Sequence, residues 1–472
     1  MHKRINNFDV IANYRVIKMI ANGGFGTVYF VRELGSNMPM AMKVEKGNKS
    51  KSSIEIEYSI LKQLQSSLYF PHLFGHGTIN DLSYIVMELL GPSLSRVKSY
   101  LPEGKFSLST SLRLGIEIVC LLREFHARGF VHRDIKPANF LIRPDSPSPI
   151  CLIDFGLSKR FIDPVTSKPH KMRTSESYQC FIGTSRYASI NAHKRIDLGP
   201  RDDMICWFNM MVELINGELP WSHLNDKNEI LKKKEEILHN PEERCKNLPI
   251  QFISIYDEII KLKYDEFPDY DMILLFLSDA LRALRQETQK KKMEKKMKKK
   301  KKNDTNSNEN DELNDNNNEA DVNTNSNESN DDNEINEDGE DDSKENNNNE
   351  YNGEEPYDWE KLSDHQIEEL FPPSVMNSRR ICRNGFGSFY SSSASINMNT
   401  NSGENTTNIN SPNNGNSEKL GFEFDNMHQK NYTQNQAHVE KFHLLADPDE
   451  INTRKKCFAC CGCGNKFSCS IC

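Results

Sequence analysis

Four polar side chains of three kinds stand at set spacing in the stretch Phe130–Gly156, FVHRDIKPANFLIRPDSPSPICLIDFG. Asp134 lies two residues after His132, Asn139 five after Asp134, and Asp154 twenty after it, with Lys136 in between. Asp134 is a candidate base for a hydroxyl proton. Asn139 and Asp154 offer hard oxygen donors that suit Mg2+ or Mn2+ better than softer metals. Lys136 supplies a positive charge for an anion in transfer. Two acidic turns formed by chance would not carry this combination. Any fold for the chain must therefore hold two loops side by side. The apolar pairs Leu141-Ile142 and Leu152-Ile153 are suited to do so as short paired strands.

A second set of residues lies upstream. The run Ile20, Ala21, Asn22, Gly23, Gly24, Phe25, Gly26, Thr27, Val28 sits in a stretch of alternating apolar and polar residues. Its glycines let backbone amides approach phosphates closely, and Phe25 can cap the turn. A glycine-rich turn alone is as readily a plain hairpin. Lys43 in the strand-like MAMKVE gives it chemical meaning, because a lysine there reaches phosphate oxygens. Glu57, on an apolar helix that follows, is the natural partner to aim Lys43.

Hydrophobic periodicity divides the chain. Tyr14–Val31 reads as a hairpin and Met40–Glu45 as a third strand, whereas Ser53–Gln65 has helical spacing with Ile56, Ile60, Leu61 and Leu64 on one face. Tyr84–Leu90 reads as a buried strand ended by Gly91-Pro92. Helical patterns then take over at Ser109–Arg128, Asp202–Asn216, Ile250–Lys263 and Tyr270–Arg285, the second apolar on most sides and hence central. The expected fold is α+β and bilobal, with a small β-rich lobe at about 12–91 and a larger helical lobe at about 92–286.

Composition explains the remainder. Residues 1–286 are near charge balance, with 38 Lys and Arg against 33 Asp and Glu. Lys290–Lys302 then holds ten lysines in thirteen residues, and 303–355 holds twenty acidic residues against one lysine. The net charge of −8 averages these blocks. Such segments bury too little apolar surface to offset the entropy of ordering, so 287–355 is expected to be a disordered insert. PYDWEKL (Pro356–Leu362) is aromatic again and precedes a short helical pattern at His365–Leu370. We read 356–371 as the end of the folded domain, with Tyr357 and Trp359 returning to pack on the helical lobe. Residues 372–456 are Ser- and Asn-rich and expected to be unfolded. No run of about 18 apolar residues is present, and the first residues lack the apolar core of a signal peptide. Cys120, Cys151 and Cys206 lie in apolar runs and read as reduced core thiols.

With these residues assembled, the chain resembles the protein kinases, in which HRD-x-K-x-x-N and DFG pair a catalytic loop with a metal-binding loop. Within them it resembles the casein kinase I superfamily, and most closely the tau-tubulin kinase group. Ser189-Ile190-Asn191 stands where most kinases have Ala-Pro-Glu, and VMELLGPSL (Val86–Leu94) looks like the casein kinase I hinge. FSLSTSLRLG, the IEYSILKQLQ helix, RDDM with LPW, and PYDWEKL look more like tau-tubulin kinases. The resemblance implies a non-specific serine/threonine protein kinase that moves the γ-phosphate of ATP to protein hydroxyls. It makes Met87 the gatekeeper, Leu90 an adenine contact, Lys136 a mark of serine/threonine chemistry and Asp203 the buried support of the catalytic loop. It further implies acidic or phospho-primed protein substrates met by a basic pocket, with Arg186 as a member and Thr184 and Lys227 beside it. Two positions depart from the pattern. Ala21 replaces the first glycine of G-x-G-x-x-G, and Asn225 replaces a lysine common after the LPW tryptophan. Neither nucleic-acid binding nor an obligatory activating partner is expected, and the catalytic domain is expected to be a monomer in the cytoplasm, and also in the nucleus. A scaffold that has lost catalysis is the competing class, and the intact Lys43, Glu57, Asp134, Asn139 and Asp154 argue against it.

Two further features allow more than one reading. Thr174, Ser175 and Ser177 lie in the activation segment, where Arg133 could pair with a phosphate. CFACCGCGNKFSCSIC (Cys457–Cys472) fits a zinc clip through Cys457, Cys460, Cys469 and Cys472, a lipid anchor with upstream Arg454-Lys455-Lys456, or plain thiols. The lipid anchor, and with it membrane association, is the favoured reading. The lysine run 290–302 reads as a nuclear signal, a contact for acidic partners or a solvated charge run.

Overall fold

Alternation along the first strands decides which side chains share a face. The computed structural model describes residues 5–24, 26–46, 53–143, 146, 148–173, 180–312 and 355–370, with 299–312 by backbone alone. Phe25, Thr174, Ser175, Ser177, the acidic run 313–354 and the terminal cysteines 457–472 lie outside the described residues. The described residues divide into two compact units, 5–88 and 89–370.

The first unit is a six-stranded antiparallel sheet in the order β1-β2-β3-β4-β6-β5. Its strands are β1 (Val10–Ile11), β2 (Tyr14–Gly23), β3 (Gly26–Glu33), β4 (Pro39–Lys46), β5 (Leu73–Ile79) and β6 (Leu82–Glu88), and helix α1 (Ser53–Gln63) follows β4. Met40, Met42 and Val44 point into a core with Val16, Val31 and Val86. The two-residue strand period puts Ala41 and Lys43 on the opposite face. There Lys43 is in register with Val28 and Ile85, and Ala41 with Met87. Helix α1 differs from the sequence expectation. Ile56 is exposed, whereas Ile60, Leu61 and Leu64 are buried as expected and are joined by Ile54 and Glu57. Lys43 on the facing strand draws Glu57 inward and so fixes the rotation of the helix.

The second unit is helical. It contains α2 (Leu94–Lys98), α3 (Leu108–Ala127), β7 (Phe130–Val131), β8 (Phe140–Ile142), β9 (Ile150–Leu152), β10 (Lys159–Arg160), α4 (Ile190–His193), α5 (Pro200–Asn216), α6 (Lys227–Glu236), α7 (Pro241–Arg244), α8 (Gln251–Lys261), α9 (Tyr270–Glu312) and α10 (Asp364–Leu370). Two small antiparallel ladders, β8 with β9 and β10 with β7, tie the loops of the Phe130–Gly156 stretch together. Helix α5 is buried on nearly every side, Trp207, Phe208, Met210 and Met211 completely. Pro200 opens it where a missing N–H costs nothing, and Gly217 closes it in the left-handed region at φ 88°.

Helix α9 extends past the expected boundary at 286 and runs on through the lysine block to Glu312. Ile273, Leu274, Leu277, Ala280 and Leu281 pack its stem. Once that stem has formed the nucleus, each added residue gains one hydrogen bond, and lysine, glutamate, glutamine and methionine are good helix formers. Lys291 reaches back one turn to Glu287 at 2.7 Å.

Residues 355–359 lie on the start of α3. The Asp358 carboxylate accepts from the Ser107 N–H at 2.6 Å and the Ser107 hydroxyl at 2.8 Å. Ser107 caps α3, so this negative charge sits at the positive end of the helix dipole. Tyr357 stacks on Trp359 at 4.3 Å, and the Arg113 guanidinium lies 3.6 Å from the Tyr357 ring centre. Trp359 is buried with its edge toward Phe106. Trp359→Ala is expected to cost about 3 kcal/mol of unfolding free energy, read from urea denaturation of the full chain.

Candidate active site

In the first unit, Lys43 and Glu57 are both buried, and the lysine Nζ donates to Glu57 Oε2 at 2.5 Å. The pair sits on the face that also carries Val28, Ile85 and Met87. The hairpin of β2 and β3 pairs Ala21 with Val28, Asn22 with Thr27 and Gly23 with Gly26, and Thr27 Oγ1 donates to Asn22 Oδ1 at 2.9 Å. Gly26 has φ 124°, and a Cβ there would lie 2.6 Å from the Val44 carbonyl oxygen. Gly23 and Gly24 have open space around them, and Ala21 keeps a negative φ. The methyl of Ala21 therefore meets no conformational penalty at this position, and Gly26 is the loop position that requires glycine.

In the second unit the catalytic loop is built on the buried carboxylate of Asp203. Its Oδ2 accepts from the His132 N–H at 2.7 Å and its Oδ1 from the Arg133 N–H at 2.7 Å. His126 Nε2 lies 2.9 Å from Oδ2, and its Nδ1 is 2.6 Å from the Tyr270 hydroxyl. Burial opposes the charge on Asp203, but the His126 and His132 interactions outweigh it and hold its pKa below the ordinary carboxylate value. Burial likewise lowers the pKa of His132 despite Asp203 nearby, so the ring is neutral at physiological pH. Its Nδ1 accepts from the Asp134 N–H at 3.3 Å, which leaves Nε2 to donate to the Ile153 carbonyl at 3.3 Å.

That last bond ties the base loop to the loop of Asp154. Ile153 N–H also donates to the Asn139 carbonyl at 3.0 Å. Two non-glycine residues here take left-handed conformations, Arg133 at φ 69° and Asp154 at φ 67°. Such strain persists only where surrounding bonds overdetermine it. Arg133 is pinned through its N–H by Asp203 and through Nε by the Leu157 carbonyl at 2.7 Å.

Asp134 is buried. Its Oδ2 accepts from Lys136 Nζ at 2.6 Å and its Oδ1 from the Thr184 hydroxyl at 2.7 Å, while Lys136 Nζ lies 3.2 Å from Thr184 Oγ1. The Asn139 amide donates to the Asp134 carbonyl at 2.9 Å, so its Oδ1 is the atom left for a cation. That oxygen and the Asp154 carboxylate form the hard donor pair a Mg2+ ion takes alongside phosphate oxygens. Gly183, at φ 96°, passes so close that a Cβ would meet the Arg133 carbonyl oxygen at 2.7 Å. Its need for glycine was not visible in the sequence, although it opens the GTSRYASINAH segment.

The remaining substrate candidates separate. Thr184 joins Asp134 and Lys136. Arg186 instead donates to buried Glu213 Oε1 at 2.8 Å and to the Ser222 carbonyl at 3.2 Å, and Lys227 Nζ lies 4.5 Å from the Phe181 ring centre. The segment between them is held from beneath at four successive carbonyls. Lys234 Nζ donates to Ser185 and Ala188 at 2.8 and 2.6 Å, Trp221 Nε1 to Arg186 at 2.8 Å and Asn209 Nδ2 to Tyr187 at 2.9 Å. Burial pushes the Lys234 pKa down to about 7. Ser189 and Asn191 both donate to Asp202 Oδ1, at 2.7 and 2.9 Å, which gives the Ser-Ile-Asn element a structural reason. Asp197 gathers Lys159 at 2.9 and 3.0 Å and Arg173 at 3.0 and 3.2 Å. Burial opposes its charge, but the Arg173 and Lys159 bonds outweigh it and bring its pKa down to about 2. For Lys159 burial outweighs the Asp197 interaction and the pKa falls.

The protein kinase domain family matches residues 14–271, more than half of the 472 residues. The chain belongs to the protein kinase family. A relative from Dictyostelium discoideum named "Probable serine/threonine-protein kinase" is 37% identical over 273 residues, 57% of this chain and 54% of that protein. A "Probable casein kinase I homolog" from Encephalitozoon cuniculi is 34% identical over 281 residues, 58% of this chain and 90% of that protein. The chain thus spans about half the length of the first relative and most of the second. A protein kinase domain acts on protein substrates with ATP and a divalent metal ion, the chemistry to which the donors of both units are suited.

Two outcomes follow from this geometry. Ala21→Gly is expected to leave the KM for ATP within about twofold, whereas Gly26→Ala raises it by about tenfold or more, as steady-state kinetics would show. Asp197, with its lowered pKa, adds stability above its unfolded pKa of about 3.9 and loses it as pH falls through about 2. Asp197→Asn should therefore show its full stability deficit in denaturation at neutral pH, and the deficit should shrink below about pH 4.

Proposed function

We propose that the protein is an ATP-dependent serine/threonine protein kinase of the casein kinase I superfamily, nearest to the tau-tubulin kinase group. One observation carries the reading: Asp134, Lys136 and Thr184 form a closed triangle of contacts between 2.6 and 3.2 Å in a loop braced by Asp203. A hydroxyl placed at Asp134 donates its hydrogen bond to the carboxylate. Its oxygen attacks the γ-phosphorus of ATP, the bond to the bridging oxygen breaks, ADP leaves, and the hydroxyl proton passes to Asp134. Lys136 balances the charge on the transferring phosphoryl group. Lys43, aimed by Glu57, takes the α- and β-phosphate oxygens. Asn139 and Asp154 would hold Mg2+, which when bound neutralises phosphate oxygen charge. Thr184, bonded to both Asp134 and Lys136, supports serine and threonine as acceptors by fixing the lysine beside the base. The casein kinase I branch is supported by the Ser-Ile-Asn element bound to Asp202, and the tau-tubulin group by the PYDWEKL segment seated on α3.

The test compares the full chain with Asp134→Asn, using radiolabelled ATP, Mg2+ and an acidic test protein. The variant is expected to lose phosphorylation by about 10²- to 10⁴-fold while keeping ATP binding. Equal labelling by both proteins would overturn the assignment of Asp134, and no labelling by either would favour a scaffold.

A further inference from the structure

Arg186 is two residues beyond Thr184, which touches Asp134, so its side chain is carried on the strip that meets residues flanking the accepting hydroxyl. A cation there would ordinarily select acidic or phosphorylated neighbours. In this protein its charge is already answered from below. Glu213, on α5, is 2% exposed and lies under the strip. Its Oε1 accepts from Arg186 Nη1 at 2.8 Å and is 3.2 Å from Lys98 Nζ, and its Oε2 accepts from the Tyr187 hydroxyl at 2.6 Å. Arg186 Nη2 turns to the Ser222 carbonyl at 3.2 Å, and Lys98 spends a further donor on the Gly217 carbonyl at 2.6 Å. Both ends of the guanidinium fork therefore face the protein, although 40% of the Arg186 side chain remains in contact with solvent.

We propose that Glu213 is a specificity-determining residue, which neutralises Arg186 and so sets the kinase to accept uncharged residues beside the target hydroxyl without demanding an acidic or phosphorylated one. The proposal rests on the protein kinase reading and sharpens its substrate class. An anion docking at Arg186 would have to approach a buried carboxylate one guanidinium away and pull the fork off two acceptors. Buried Glu213 cannot move out to relieve the repulsion, because Tyr187 and Lys98 hold it. Glutamine at 213 keeps the size and an accepting oxygen but removes the charge, leaving Arg186 and Lys98 uncompensated.

The experiment uses the full chain and three peptides that differ only beside the accepting serine, where they carry alanine, glutamate or phosphoserine. For the wild type, kcat/KM is expected to agree within about threefold across the set. Glu213→Gln is expected to raise the phosphoserine-to-alanine ratio about tenfold, through KM rather than kcat, the size of one partly screened charge interaction. Adding Arg186→Gln to that variant should return the ratio to the wild-type value, which loss of packing at 213 would not do. Arg186→Gln alone, which leaves Glu213 intact and avoids any folding defect at that site, should leave the ratio unchanged. Peptide binding measured by fluorescence anisotropy gives the same ratios without catalysis, so a failure of the kinase reading and a failure of this proposal are told apart. A wild-type preference for phosphoserine of about tenfold or more that Arg186→Gln abolishes would overturn the proposal, as would an unchanged ratio in folded Glu213→Gln.

Discussion

The carboxylate of Asp203 is the interaction on which the catalytic loop depends. Residues 132–136 belong to no strand or helix, so their N–H groups lack a ladder partner. Asp203 accepts two of them in succession, and the second belongs to Arg133 in its left-handed conformation. Remove the acceptor and the N–H groups of His132 and Arg133 lose their partner, while the strained Arg133 backbone keeps only side-chain anchors such as the Leu157 carbonyl. His126 from α3, itself bonded to Tyr270 of α9, supports the same carboxylate from behind. Three helices thus fix one acid, and that acid fixes the backbone from which Asp134 projects.

Helix α5 repeats this device along its length. Asp202, Asn209 and Glu213 are seven and four residues apart, which at 3.6 residues per turn places them within about 40° of one another. Asp202 binds Ser189 and Asn191, Asn209 binds the Tyr187 carbonyl, and Glu213 binds Arg186 and Tyr187. The polar stripe of a buried helix therefore spaces out the contacts of the segment 186–191, which is irregular apart from the first turn of α4. Sheet geometry does the equivalent work in the first unit, where strand alternation alone turns Lys43 away from Met42 and Val44 and toward Glu57.

What could be read from the sequence divides along the same line. Asp134, Lys136, Asn139 and Asp154 were legible because their spacing is local, and Lys43 because a strand has a period of two. Gly26 and Gly23 look alike in sequence, but only the first has a carbonyl, that of Val44, in the space of its missing side chain. Asp202–Asn216 was legible as a central helix by its apolar residues, and that reading hid the polar ones, whose partners, such as Arg186 and Lys98 at Glu213, are far away in sequence. Arg186 was legible as a cation but not as a spent one, since Glu213 meets it only through the fold. The lysine run after Gln289 carries α9 past the boundary that composition suggested. Composition opposed a packed core there, yet a helix already nucleated by packed residues needs no core to continue.

Buried carboxylates are poor stabilisers, because desolvation cancels much of their attraction and apolar replacements of similar size often do as well. Three of them in one helix, at Asp202, Asp203 and Glu213, are thus hard to explain by stability. Their value lies in what an apolar side chain cannot do, which is to fix the direction of a backbone N–H, a hydroxyl or a guanidinium in an irregular loop. Asp202 shows the cost, since burial raises its pKa even with Ser189, the Gly199 N–H and Asn191 bonded to it. Loss of any of the three acids would leave the helices packed and disturb instead the strip and loop above them. Fold and reactive geometry are in this way assigned to different residues of the same helix, the apolar ones holding α5 in place and the acids holding the chain that crosses it.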